Sequence, residues 1–532
     1  MNFKVFRLKI NRNRLLLFLF FLFYLFFVFQ KISKPQMVLW DEAGFIGVGY
    51  QFHKFLAAKD FFGFIKLTKN EVYYPFFQGW FLAIFSLPFE YSINLARFLS
   101  LLLIIPSVSL IFLLSKQIEN RNFTPFIAAG VFLTSPMVVY YYSSAMKEGL
   151  GATLTLFSLF LYFKAKERNS NAIFFLTGFI LTCLTLTKYT YGFLVFMAIL
   201  LDFAIERFRF LKVKNLISFF FAPFLILGFW MFLIPGNFAV IVNYLKNIPD
   251  YVVSPLRHLF YYPLEVIFVY HLSWPIAVLT LLGFFFSFKD FKNYQVRILI
   301  LLFLINFLLA EKNFFKNQGR YLFTTMPAFY ILGSCGFSRL LINIRQKLNG
   351  LALMAGFFIP FIAAGVFLII KDLFFLPSIV RATASHETGG AVFYQRDYQG
   401  LDRFSFNRAF WPKGLPFESE KIEDIFEFIF LNVDLSKNIF LVGQANEFSP
   451  YLFKFYILKG REKGLGLKND NFKEYVILFE VLDGGRLDTL DFRLINASAR
   501  NQIAKIINDS SYKVIAWKLF PYLGVKISVM GR

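Results

Sequence analysis

The first thirty residues decide the fold class: residues 1–14 read MNFKVFRLKINRNR, and residues 15–30 read LLLFLFFLFYLFFVFQ. A basic flank followed by an uncharged apolar stretch is the charge order of a secretory signal, which should then close on a small-residue cleavage site. Here the stretch runs into Lys31-Ile32-Ser33-Lys34-Pro35 instead. That ending predicts an uncleaved membrane anchor.

The rest of the chain agrees. Of 532 residues, 57% are hydrophobic and 17% charged, whereas a soluble domain averages about a quarter charged and under half apolar. Aromatic residues make up 21%, most of them the 79 phenylalanines. Cys183 and Cys335 both lie in apolar stretches, and His53, His258, His271 and His386 are scattered. Neither a disulfide framework nor a metal-ligand spacing is on offer. The net charge of +23 comes in short basic clusters between apolar runs, not as one basic face, so it argues for membrane topology and against nucleic acid.

Further apolar runs fall near 93–115, 123–142, 148–165, 172–187, 190–206, 215–235, 263–287, 298–310, 321–338 and 351–370. Each approaches the ~20 residues that cross ~30 Å of hydrocarbon. The run at 75–89 is shorter and opens on a proline. If it does not cross, the basic stretches 1–14, 116–121, 164–168, 207–214, 289–297 and 339–347 all share one side with the N-terminus. The positive-inside rule wants that side cytoplasmic. The expectation is a polytopic α-helical membrane protein of about eleven spans in the cytoplasmic (inner) membrane. Its first outer loop is 31–91, and a helix at 75–89 lies along or dips into the outer interface. Residues 1–371 form the transmembrane part. Residues 372–532, outside, form an α/β soluble domain with β-prone runs at Asn438–Val442, Tyr475–Phe479 and Tyr512–Trp517 and a helical stretch at 499–508.

The chemistry is expected in the first outer loop, at Trp40-Asp41-Glu42-Ala43-Gly44-Phe45. Two carboxylates among aromatics at a bilayer surface are unfavourable unless hydrated or paired; the plainer role is to cap the next helix. Lys147 and Glu148 follow Tyr140-Tyr141-Tyr142-Ser143-Ser144 at an outer helix end. Lys188 lies in Thr187-Lys188-Tyr189-Thr190-Tyr191, and Arg320 in Gln318-Gly319-Arg320-Tyr321. Cations on the outer side run against the topological bias, and a lipid phosphate would explain them. Snorkelling to headgroups explains any one alone.

The order of these motifs resembles the GT-C glycosyltransferases of family 39, the protein O-mannosyltransferase and aminoarabinose-transferase type. The ordered set comprises the basic anchor, the Asp41-Glu42 pair, Tyr73-Tyr74-Pro75-Phe76-Phe77-Gln78-Gly79-Trp80, Asn94-Leu95-Ala96-Arg97, Thr134-Ser135-Pro136, the Lys188 segment and Arg320-Tyr321. The likeness spans about residues 1–340. It implies transfer on the outer face from a polyprenyl-phosphate sugar, with inversion. Asp41 would be the base and Glu42 its helper. Arg320, Lys188 and Lys147 would hold the donor phosphate, and Tyr74, Glu148 and Arg97 would contact substrate. The aminoarabinose branch carries a basic residue where Tyr74 stands, and the O-mannosyl branch a His-Pro-Pro motif where this chain has Tyr74-Pro75-Phe76. Glycan, lipid and protein acceptors therefore stay open. No cofactor is expected. Three rivals remain: a metal-dependent oligosaccharyltransferase using Asp41, Glu42 and Glu148, a surface-polysaccharide polymerase or ligase, and a lipid-linked sugar transporter. Charges clustered at one interface, instead of buried mid-membrane, favour an enzyme over the transporter.

Overall fold

The computed structural model describes residues 40–72, 75–121, 123–206, 213–230, 234, 236–240, 271–272, 274–313, 320–347, 420–442, 450–465, 472–481, 503–520 and 525–532. The expected anchor at 15–30, the run at 351–370 and Tyr74 lie outside the described residues.

Three helices form the first layer. α1 (Trp40–Ala57), α2 (Phe61–Asn70) and α3 (Phe77–Ser86) pack as a group, α1 against both of the others. Asp60 caps α2 by accepting the Gly63 N–H at 2.8 Å, the local bond that makes Asp a helix starter. Trp80 Nε1 donates to Thr68 Oγ1 at 3.0 Å, and His53 Nδ1 lies 2.8 Å from Ser86 Oγ. The ambiguous run at 75–89 thus becomes a ten-residue helix packed on α1. Ten residues rise ~15 Å, half a hydrocarbon core.

Apolar helices follow: α4 (Ile93–Leu102), α5 (Ile104–Ile118), α6 (Thr124–Leu133), α7 (Pro136–Ser143), α8 (Lys147–Arg168), α9 (Asn171–Thr185), α10 (Tyr189–Ile205), α11 (Val213–Gly228), α12 (Trp274–Ser287), α13 (Tyr294–Asn313), α14 (Arg320–Phe323) and α15 (Met326–Lys347). Ser92 starts α4 by accepting the Leu95 N–H at 3.1 Å. α8 carries Glu148 in its first turn and Lys166 and Arg168 in its last, matching the helix dipole, and stops at Asn169 in a left-handed conformation. α4 and α5 run together as a 26-residue apolar rod, 93–118, and among the described residues this rod alone is long and apolar enough to cross a membrane unaided. α6 and α7 make a second such length only as a pair bent by 67°, where Pro136 follows Ser135. The described helices therefore do not establish the expected eleven crossings. Large apolar side chains face outward along α11 and α12, with Phe224 and Phe285 77% and 62% exposed.

Two features set the bundle's geometry. α12 and α15 cross where a Cβ on Gly283 would strike the Gly333 carbonyl oxygen and one on Gly336 would strike the Gly283 carbonyl oxygen. Small residues permit this close approach, as in packed membrane helices. At the Arg168 end of α8, Asp202 is fully buried. It accepts from Arg297 Nε (2.7 Å), Lys166 Nζ (2.9 Å) and Tyr162 Oη (2.6 Å), while Glu206 accepts from Lys166 and Arg297. Arg339 pairs with Glu119 and Asp290. These residues lie in or beside the basic stretches that charge bias alone would gather on one side. Lys147 stands at the other end of α8, ~33 Å away for 22 residues.

The C-terminal part is a small mixed layer structure. α16 (Glu420–Asn432), β1 (Asn438–Val442), α17 (Pro450–Glu462), β2 (Glu474–Val481), β3 (Lys513–Phe520) and β4 (Val525–Gly531) build a sheet ordered β1-β2-β4-β3. β1 and β2 are parallel, with α17 as their crossover, and the other pairings are antiparallel. Three β-prone runs expected from sequence became β1, β2 and β3, and 503–508 is helical within the expected 499–508. β4, between two partners, escaped that reading. One buried apolar cluster runs from α1, α3 and α4 into α16, α17 and the sheet, joining Ala43, Ile46, Tyr50 and Leu82 to Ile429, Phe455, Ile477 and Val529. Tyr50 meets Phe455 edge-on at 5.4 Å, its hydroxyl bonds Glu462, and Lys54 pairs with Glu462 at 2.8 Å.

Candidate active site

Adjacent residues on a helix point ~100° apart, and the start of α1 uses that divergence. Glu42 turns inward, 2% exposed, to the equally buried Arg97 on α4. It also accepts the Ala145 N–H through Oε1 at 2.9 Å. Asp41 turns the other way, into a cavity of about 440 Å³.

The cavity is walled by five segments. α1 contributes Asp41, Phe45, Val48 and Gln51; the end of α2 contributes Asn70 and Glu71; the start of α3 contributes Gln78, next to Pro75. Lys147 reaches in from α8, and Lys454, Phe455 and Leu458 close it from α17. Lys147 is 2% exposed, donates from Nζ to the Pro75 carbonyl at 3.3 Å and sits 4.5 Å above the Phe45 ring. Lys188, half-buried before α10, bears electrostatically on Lys147 and lies 5.0 Å from the Tyr191 ring. Neighbouring Tyr189 ties this segment to the first loop, its hydroxyl donating to the Val72 carbonyl at 2.7 Å. Glu148 is buried, and its Oε2 has no hydrogen-bond partner among the described residues. Burial pushes the Glu71 carboxyl above its usual range, although Lys147 and Lys454 pull the other way.

Of the residues expected from sequence, Asp41 and Lys147 share this cavity, while Lys188 and Glu148 stand beside Lys147. Arg97 and Glu42 are committed to each other. α14, which Arg320 opens, packs on the helix that Lys147 opens; the Arg320 side chain and all of Tyr74 lie outside the described residues. Among those residues no group of three or more His, Cys, Asp or Glu converges as a metal shell. The cavity also brings in Glu71, Gln78 and Lys454, which sequence reasoning did not select. Glu71 had a faint signal as the one acid beside Val72-Tyr73-Tyr74-Pro75. Gln78 was quoted inside a motif without a role, and Lys454, more than 300 residues from Lys147, had none.

The arrangement places a carboxylate and an ammonium on the walls of one partly enclosed cavity, with a second lysine near by. Such a set can take a proton from an attacking group and stabilise charge on a leaving anion. The sequence profile of the dolichyl-phosphate-mannose-protein mannosyltransferase family matches residues 74–234, the segment that carries Gln78, Arg97, Lys147, Glu148 and Lys188.

Over that segment the chain is similar to this family, the GT-C glycosyltransferases of family 39.

Two crystal structures of ArnT from Cupriavidus metallidurans share its fold, one in the apo state and one bound to undecaprenyl phosphate. Both superpose with a TM-score of 0.57 at 13% identity, covering 98% and 97% of this chain respectively and 98% of each ArnT chain. An oligosaccharyltransferase from Archaeoglobus fulgidus, in complex with zinc and sulfate, overlaps 65% of this chain and 52% of its own at a TM-score of 0.41 and 13% identity. No curated protein matches the chain by sequence. The apolar composition and the likeness to the mannosyltransferase family fit the helices of a membrane protein. The ArnT likeness covers nearly the whole chain, the C-terminal sheet included, so the fold is shared from end to end.

Proposed function

We propose that this chain is a glycosyltransferase that moves a sugar from a polyprenyl-phosphate lipid to an acceptor on the outer face of the cytoplasmic membrane, inverting the anomeric centre. The observation that carries the reading is Asp41 and Lys147 facing one cavity at the helix ends opposite the Asp202–Arg297 cluster. In this reading that opposite end is cytoplasmic, because the basic stretches lie there. The undecaprenyl phosphate bound by the similarly folded ArnT supports a lipid-phosphate donor here.

The step is a single displacement. An acceptor hydroxyl attacks the anomeric carbon while the bond from that carbon to the phosphate oxygen breaks, and the phosphate leaves with the electron pair. Asp41 takes the hydroxyl proton. Lys147 and Lys188, joined by Arg320, offset the charge growing on the phosphate. Glu42 and Arg97 act as positioning residues: their pair fixes the start of α1 and, through Ala145, the segment that delivers Lys147. Glu148 lies behind the cations, and Tyr74, next to Pro75, borders the substrate. An apolar groove of about 480 Å³ between α9, α10 and α11, lined by Tyr189, Phe193, Phe196, Phe220 and Leu227, takes the prenyl chain beside Lys188.

Purified full-length protein in nanodiscs should release undecaprenyl phosphate from an undecaprenyl-phosphate sugar when given an envelope extract as acceptor source. Failure to bind or consume any polyprenyl-phosphate sugar would remove the reading.

A further inference from the structure

Gln78 is the second residue of α3 and is 1% exposed, yet it lines the cavity with Asp41, Glu71 and Lys147. Its Nε2 donates to the Ala145 carbonyl at 3.4 Å, while its buried Oε1 has no hydrogen-bond partner among the described residues. A buried acceptor without a donor is unfavourable, and native structures seldom keep one without a reason. Flipping the amide would not relieve it, because the oxygen would then face the Ala145 carbonyl oxygen. Ala145 is itself held, its N–H on Glu42 Oε1 and Glu42 on Arg97. The orientation of Gln78 is therefore set by the Ala145 carbonyl, and Oε1 is left without a donor among the described residues.

We propose that Gln78 Oε1 accepts a hydrogen bond from a hydroxyl or N–H of the transferred sugar, which makes Gln78 a specificity-determining residue of the donor site. The assignment rests on the polyprenyl-phosphate reading above. Each other part of the reaction fits the position worse. A phosphate brings acceptor oxygens that Oε1 repels, and a prenyl chain brings no donor. The acceptor is better placed at Asn70 and Lys454, which line the cavity and are exposed. A sugar whose phosphate meets Lys147 and whose anomeric carbon lies within reach of Asp41 occupies the space between them, against Gln78. Site groups built to pair with a substrate hydroxyl discriminate strongly against ligands that lack it.

The test compares two kinds of lipid on full-length protein in nanodiscs: bare undecaprenyl phosphate, and a panel of undecaprenyl phosphates bearing glucose, mannose or N-acetylglucosamine. The wild type should bind at least one sugar-bearing lipid about tenfold more tightly than the bare lipid, the worth of one well-placed hydrogen bond. Gln78→Leu should shrink that advantage to about twofold or less and leave bare-lipid affinity unchanged. Gln78→Glu, which keeps an acceptor oxygen, should retain part of it. Should the leucine variant not fold, Gln78→Met is read in the same way. A sugar advantage that survives in Gln78→Leu or Gln78→Met overturns the assignment, as does a wild type that binds the bare lipid and all three sugar lipids equally. A wild type that binds none of the four lipids overturns the donor reading itself, a distinguishable result.

Discussion

Arg97 holds Glu42 through two parallel hydrogen bonds of 2.8 Å, Nε to Oε1 and Nη2 to Oε2, with both side chains almost fully buried. The pair joins α1 to α4, and the extra bond from the Ala145 N–H joins both to the segment before α8. A buried pair of this geometry gains little over an apolar replacement of both partners, but removing one partner strands a charge. Arg97→Ala should therefore destabilise the protein by about 3–5 kcal/mol, read as a large fall in melting temperature in detergent. Arg97→Met combined with Glu42→Leu should be milder than either change alone. A fully stable Arg97→Ala protein would show that the pair clamps nothing.

Asp41 lines the cavity. Asp41→Asn keeps its shape and removes the base, so turnover should drop by about 10²–10⁴ while the melting temperature and donor binding stay near wild type. Undiminished turnover on a hydroxyl acceptor would take proton removal away from Asp41.

Lys188→Gln and Arg320→Gln should each raise the Michaelis constant for the lipid donor, with the larger loss in the double variant. Lys147→Met should lower turnover as well, because Lys147 shares the cavity with Asp41. Binding of undecaprenyl phosphate by titration separates the cases. Unchanged affinity in both Lys188→Gln and Arg320→Gln would reduce these two residues to headgroup anchors.

Glu71 carries a pH signature. Its folded-state carboxyl is raised by burial, so the folded chain holds that proton more tightly than the unfolded one. The stability it contributes is complete below the ordinary glutamate range of ~4.3 and is lost as pH rises through the raised folded value. Glu71→Gln should melt higher than wild type at pH 7–8, and the gap should close towards pH 4. Melting curves across that range decide the matter: a constant gap, or one of opposite sign, would show that burial does not govern this carboxyl.

Orientation can be read with reporters. A fusion after Arg381 should be active only outside the cytoplasm, and one after Lys212 only inside it. Both on the same side would overturn the arrangement in which the Asp41 cavity faces outward.

Fold type and the family resemblance were legible without coordinates because they depend on local composition and order. An uncharged run such as 15–30 reads as membrane whatever its neighbours do, and Asp41-Glu42, Tyr74-Pro75 and Arg320-Tyr321 keep their order along the chain. The strands at 438–442 and 475–479 were legible for the same reason, since they are short β-prone runs between polar ones. Tertiary structure decided what order and composition cannot express. Asp41 and Glu42 are neighbours of one charge and nearly one size, and only packing against Arg97 and Ala145 separates a clamp from a cavity-facing carboxylate. Gln78 looks like any polar residue in an aromatic motif until the Ala145 carbonyl takes its nitrogen and leaves its buried oxygen without a donor among the described residues. Lys454 reaches the site because apolar burial draws α17 onto α1, a contact between segments almost 400 residues apart. β4 escaped for a related reason: its burial comes from β2 and β3 on either side, and a strand defined by its neighbours leaves little mark on its own seven residues.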